Sequence, residues 1–115
     1  MSRDPALLLD IVLAANDARR FVEDLDWRMF VKSRLHQNAV IRSLEVIGEA
    51  AGKSSPAFTR AHPDVPWRDI VNMRHRLIHA YDDVRLDTVW AIVRNDLAPL
   101  VAKLQPYVPP DDPTS

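Results

Sequence analysis

Apolar side chains return every three to four residues along most of this chain, with only two glycines in 115 residues to interrupt them. Such a period suits helices that each bury one side. The first stripe is Leu8, Ile11, Val12, Ala15, Ala18, Phe21, Val22 and Leu25. Asp4-Pro5 before it reads as an N-cap followed by proline at the first helical position, so a helix is predicted from about Pro5 to Leu25. Asp26 is suited to cap a short turn through Trp27, Met29 and Phe30. A second long helix is predicted from about Ser33 to Lys53, striped by Leu35, Ala39, Val40, Leu44, Ile47 and Ala51. Gly48 inside it costs about 1 kcal/mol of helix propensity, a cost best understood if another helix passes close to the backbone there.

From Ser54 to Pro66 the Ser-Ser-Pro, His-Pro and Val-Pro steps mark a connector with room for one helical turn near Ala57 to Arg60. Neither flank is long enough for a core of its own, so the connector joins two helical hairpins of one domain. A third helix is predicted from about Trp67 to Ala80. A fourth starts near Leu86 and Asp87, with Val89, Trp90, Val93, Leu97, Leu100, Val101 and Leu104 inward, and Pro99 should kink or split it. After Gln105 the proline-rich run reads as an extended, flexible tail. The expectation is an all-α, up-and-down four-helix bundle with a short extra helix over residues 1–105, followed by a tail over 106–115.

The absence of cysteine excludes disulfides, thiolate metal sites and cysteine nucleophiles. No apolar stretch approaches the roughly 20 residues of a membrane span, and Met1 to Leu9 has no secretory pattern, so a cytoplasmic chain with no membrane partner is expected. The net charge of −1 provides no global field for nucleic acid. Of 15 basic residues, however, 12 are Arg, the planar cation that grips phosphate or carboxylate bidentately. Between Asp26 and Glu45 there is no acid, while Arg28, Lys32, Arg34, His36 and Arg42 occur, which describes either a solvated helix face or a phosphate-binding one.

Polar chemistry is densest from Met73 to Asp83. At 100° per residue Tyr81, Arg74, Ile78, His75 and His79 share an arc of about 160°, so cation, imidazoles and phenol fall on one side, facing water or lining a site. His75 and His79 have the spacing of a two-histidine metal pair, but no Glu follows His75 and no third ligand stands at recognisable spacing, so no metal or other cofactor is expected. His36 and His62 are isolated and read as surface or connector residues.

Arg74, four residues, His79, one residue and Tyr81 form an R-x4-H-x-Y motif. With Asn38 to Ala50, Pro66-Trp67-Arg68-Asp69-Ile70 and the Val89 to Leu97 helix around it, the chain resembles the HepT-like ribonuclease toxins of the HEPN superfamily from about Leu7 to Leu104. The motif arginine is often followed by Asn in that family; here it is followed by His75. The resemblance implies a homodimer with two motif copies across a shared cleft, and metal-independent RNA cleavage by attack of a 2′-hydroxyl. It assigns Arg74 to the scissile phosphate and His79 to proton transfer. The departure at His75 leaves the role of that position open; His75, Arg76 and Arg42 stand as further candidates for substrate binding. It also implies neutralisation by an MntA-like nucleotidyltransferase antitoxin that transfers AMP to Tyr81. The rival from another class is a non-catalytic HEPN interaction or nucleotide-binding module partnering such a nucleotidyltransferase.

Overall fold

The computed structural model describes residues 3–79, the side chain of His79 excepted, and 84–109. In chain order these form α1 (Asp4–Val22), α2 (Trp27–Lys32), α3 (Arg34–Lys53), α4 (Pro56–Ala61), α5 (Trp67–His79), α6 (Leu86–Ala91), a π-helical turn (Ile92–Asp96), α7 (Leu97–Leu104) and a 3-10 turn (Gln105–Tyr107). Every regular element among the described residues is helical, as expected.

Local chemistry sets the boundaries. Asp26 accepts from Met29 N at 2.9 Å and opens α2, as its position predicted. Ser33 ends α2 and caps α3, its Oγ meeting both His36 N at 3.3 Å and His36 Nδ1 at 2.6 Å. His36 is therefore part of a cap and not isolated. Gln37 Nε2 donates to the carbonyls of Phe30 and Val31 at 2.9 and 3.1 Å, satisfying the end of α2 from the next helix.

α3 is the central helix, with α1 on one side and α5 on the other; α1 also packs on α7 and the π turn. Asp4, at the start of α1, accepts from Ser55 N and Ser55 Oγ at 2.8 and 2.6 Å, just past the end of α3, so α1 and α3 run antiparallel. This corrects the N-cap reading of Asp4. Arg3 occupies the cap position without a side-chain bond, and the carboxylate instead reaches a partner 51 residues away that itself caps α4. α1 also ends earlier than predicted, at Val22, because Asp26 starts a new helix. The core combines Leu8, Ile11, Ala15, Ala18 and Val22 of α1 with Val40, Leu44 and Ile47 of α3, Phe30 of α2 and Leu104 of α7. Each large side chain among them contributes about 1.5–3 kcal/mol by leaving water.

Two further expectations are refined. Pro99 disturbs the last helix, but the break takes the form of the wide turn at Ile92–Asp96 immediately before α7. Proline at 99 cannot donate to the carbonyl of Asn95, and its ring crowds that carbonyl, so the ladder widens there. The chain after Gln105 is not extended at once. Gln105–Tyr107 form a 3-10 turn, and Tyr107 packs on His62 and Phe58 with centroids 4.3 and 6.0 Å apart. His62 in turn lies 4.2 Å from Phe58, which places it inside an aromatic stack that staples the connector to the C-terminal turn.

Candidate functional site

The candidate motif lies on α5, and the connector before it fixes where that helix begins. Trp67 N donates to Val65 O at 2.8 Å, and Trp67 Nε1 donates to His62 O at 3.0 Å, so the indole locks the entry. Asp69 in the first turn complements the helix dipole. Ile70 and Leu77 are buried with Met73 packed beside them, which directs the polar positions away from the core.

Arg74 is the exception, because its stem lies against α3. A Cβ at Gly48 would overlap Arg74 Cβ and come within 3.0 and 3.2 Å of its Cγ and Cδ. The missing side chain at Gly48 thus forms a slot for the arginine, the close approach its position predicted, while Gly52 faces Val71 one turn away. Arg74 Nε is buried without a hydrogen-bond partner among the described residues. A buried donor left unpaired costs about 1–3 kcal/mol, more when charged, so the seam holds this arginine at a cost that packing elsewhere must offset.

One acid shares this seam. Lys53 hydrogen-bonds Glu49 at 3.1 Å and, with its charge, holds the Glu49 carboxyl below the ordinary glutamate range; burial opposes this, and the more distant cations of Arg74 and Arg42 add lesser lowering effects. Arg42 also pairs with Glu45 at 3.6 Å. Arg74 and Arg42, far apart in sequence, therefore act on one carboxylate. Glu49 is the residue that the sequence reading did not single out, although it lies one position after the glycine that did attract notice.

The other candidates are divided. His75 is exposed and lines a shallow depression with Asp69, Asn72 and Arg76, so it does not share the buried seam with Arg74 despite the common arc. Arg76 also borders a groove between α5 and the C-terminal helices, with Met73, Thr88 and Ile92. His79 closes α5, its side chain and Tyr81 lying outside the described residues. Among the described residues no group of three or more His, Asp or Glu could hold a metal, and no helix is long and apolar enough to cross a membrane.

Sequence comparison assigns the chain as a whole to a family. The profile of the family described as "Ribonuclease HepT-like" matches residues 11–106. The chain belongs to the HepT-like ribonuclease family. Among its HepT-like relatives, a Methanocaldococcus jannaschii protein named "Putative RNase" is 39% identical over 92 residues, covering 80% of this chain and 84% of that one. A Thermococcus cleftensis protein named "Probable ribonuclease HepT" is 38% identical over 98 residues, covering 85% and 89%. No solved structure matches the chain. The HepT-like match spans every element from within α1 to the 3-10 turn, so the Gly48–Arg74 seam lies inside the shared region.

Proposed function

We propose that this HepT-like protein is a metal-independent endoribonuclease toxin whose cleavage site forms where two copies of α5 meet. The observation that supports it most directly is the Arg74 stem seated in the Gly48 slot, which fixes where the guanidinium is carried on α5. The terminal nitrogens of a guanidinium that never deprotonates would hold a scissile phosphate and stabilise the charge gathering on its oxygens. The ribose 2′-oxygen attacks phosphorus and the bond to the 5′-oxygen breaks. A 2′,3′-cyclic phosphate remains on one product and a 5′-hydroxyl on the other. With an unperturbed pKa near 6.5, imidazole can take the 2′-proton or protonate the leaving oxygen at neutral pH, and His79 is assigned that role. His75, Arg76 and Arg42 are read as further contacts to the strand.

Control follows from the same chemistry. A partner nucleotidyltransferase of MntA type that moves AMP from ATP to the Tyr81 hydroxyl, with release of pyrophosphate, adds negative charge and bulk, which compete with RNA phosphate for Arg74.

Purified protein incubated with RNA in EDTA should still cleave it, and a strand with a 2′-deoxy sugar at the cut position should resist. Arg74→Ala is expected to lower the rate about 10²–10³-fold and His79→Ala about 10²–10⁴-fold, with circular dichroism unchanged. Cleavage that survives both substitutions, or that stops in EDTA, refutes the mechanism. Intact mass after co-expression with the nucleotidyltransferase tests the control step: an AMP adduct that Tyr81→Phe abolishes is expected, and an unmodified wild-type chain contradicts it.

A further inference from the structure

A second cationic feature lies away from the α3–α5 seam. Where the last turn of α1 meets the π turn, Arg19, Arg20 and Arg94 line an open cleft of about 440 Å³ whose only acidic lining among the described residues is Glu23. The cation excess survives local pairing. Arg20 is 3.6 Å from Asp17, both side chains being more than half exposed, and such pairs hold weakly in water. Arg19 donates to the neutral Asn16 at 3.3 Å. Arg94 is fixed from the far side, its guanidinium carbon 5.3 Å from the centre of the Trp90 ring. Trp90 stacks in turn on Phe30 and Trp27, with centroids 5.0 and 6.2 Å away, and Trp27 keeps 38% of its surface exposed.

Arginines at the end of α1 have a simpler use, since they offset the negative end of the helix dipole. That accounts for Arg19 and Arg20. It does not account for Arg94, which comes from another element, turns toward the same cleft and is backed by an aromatic chain ending in a partly exposed indole.

We propose that this cleft and Trp27, joined to it through Trp90 and Arg94, form a strand-binding subsite for single-stranded RNA, separate from the cleavage seam: the guanidiniums hold backbone phosphates and the indole stacks a base. The combination of planar cations with an exposed aromatic is what flexible strands require, because every base offers a face for stacking and every nucleotide a phosphate. α1 lies across α3 from α5, and neither Arg19 nor Arg20 lines the groove beside Arg76, so a strand engaging both α5 and the α1 arginines must be several nucleotides long, and the subsite would favour polynucleotides over very short substrates. The proposal rests on the ribonuclease reading above.

The test uses the intact chain and a fluorescent 20-nucleotide 2′-O-methyl RNA, which cannot undergo 2′-attack, with anisotropy read over a salt series. Arg19→Glu/Arg94→Glu should weaken binding tenfold or more, and the milder Arg19→Gln/Arg94→Gln should lower the slope of log affinity against log salt by about 0.7 for each phosphate that is no longer neutralised. Trp27→Leu should weaken binding about fivefold or more with the slope unchanged. In parallel, cleavage of a dinucleotide should stay at the wild-type rate in both arginine variants while cleavage of the long strand falls. Unchanged affinity and salt slope in folded variants, with wild-type RNA cleavage intact, overturns the subsite alone. A wild-type chain that neither binds nor cleaves RNA overturns the subsite together with the ribonuclease reading.

Discussion

Gly48 decides how Arg74 is held, and its replacement tests that directly. Alanine normally favours a helix over glycine by about 1 kcal/mol, so local propensity alone predicts that Gly48→Ala stabilises α3. The close packing predicts the reverse. The added methyl meets Arg74 Cβ, which cannot swing aside because the backbone of α5 fixes it. Overpacking of this kind costs about 1–3 kcal/mol. Urea denaturation of Gly48→Ala should show a net destabilisation of up to about 2 kcal/mol, and RNA cleavage should fall by more than stability explains; a variant more stable than wild type contradicts the slot. Glu49 gives a second residue-scale test. Its carboxyl should titrate below the ordinary 4.5 by NMR, and Lys53→Ala should raise it, because the Lys53 hydrogen bond and charge are the largest cause. A carboxyl whose pKa is lowered on folding stabilises above its unfolded value, and that contribution disappears as pH falls through the folded one. An unmoved titration in Lys53→Ala would contradict the assignment. The close approach at Gly48 was legible from its sequence because glycine inside a helix needs a reason. That the approaching residue is Arg74 was not, since the register between two helices depends on packing that no local pattern carries.

Among the elements, the joint between α1 and α4 makes the strongest claim. Asp4 binds both the backbone and the hydroxyl of Ser55, and Ser55 Oγ in turn accepts from Phe58 N at 3.1 Å. A hydrogen bond to a charged group contributes up to about 1.5–3 kcal/mol, less where water can replace it, and the two here share one partly exposed carboxylate. Asp4→Ala should therefore lower stability by about 1–3 kcal/mol while leaving far-UV dichroism nearly unchanged, measured by chemical denaturation. A decrease below about 0.5 kcal/mol, the lower bound for an ordinary hydrogen bond, would show that α4 does not depend on the joint. The sequence signalled a cap at this position and a turn near residue 57 as two unrelated local events. Only the fold joins them, as only the fold shows that Pro99 is accommodated by a widened turn and that His62 belongs to an aromatic stack.

At the scale of the whole molecule, the shape is flat, 44 × 32 × 22 Å, with a radius of gyration of 14.4 Å against about 13 Å for a rounder domain of this size. α5 rests chiefly on α3, and beside Arg74 it leaves Val71 37% and Ile78 41% exposed. On the proposed reading a second copy covers this side, so light scattering should give twice the 13.1 kDa chain mass. If each cleavage site takes its arginine from one copy and its imidazole from the other, mixing inactive Arg74→Ala and His79→Ala chains should restore part of the activity. A monomeric wild type that still cleaves RNA rejects the shared site. The helical class and the limits of most helices were legible because period and capping are local. How the motif faces a partner is set by a surface that no single helix defines.

The slot at Gly48 also bears on which lesions would disarm the protein in a living cell. On the proposed reading, in a selection for cells that survive expression of the chain without its nucleotidyltransferase, survivors should carry changes at position 48 as well as at the motif itself, even though a glycine offers no functional group to RNA. The mildest of these, Gly48→Ala, would be recovered from full-length protein, a class of escape mutant that a search confined to reactive side chains would overlook.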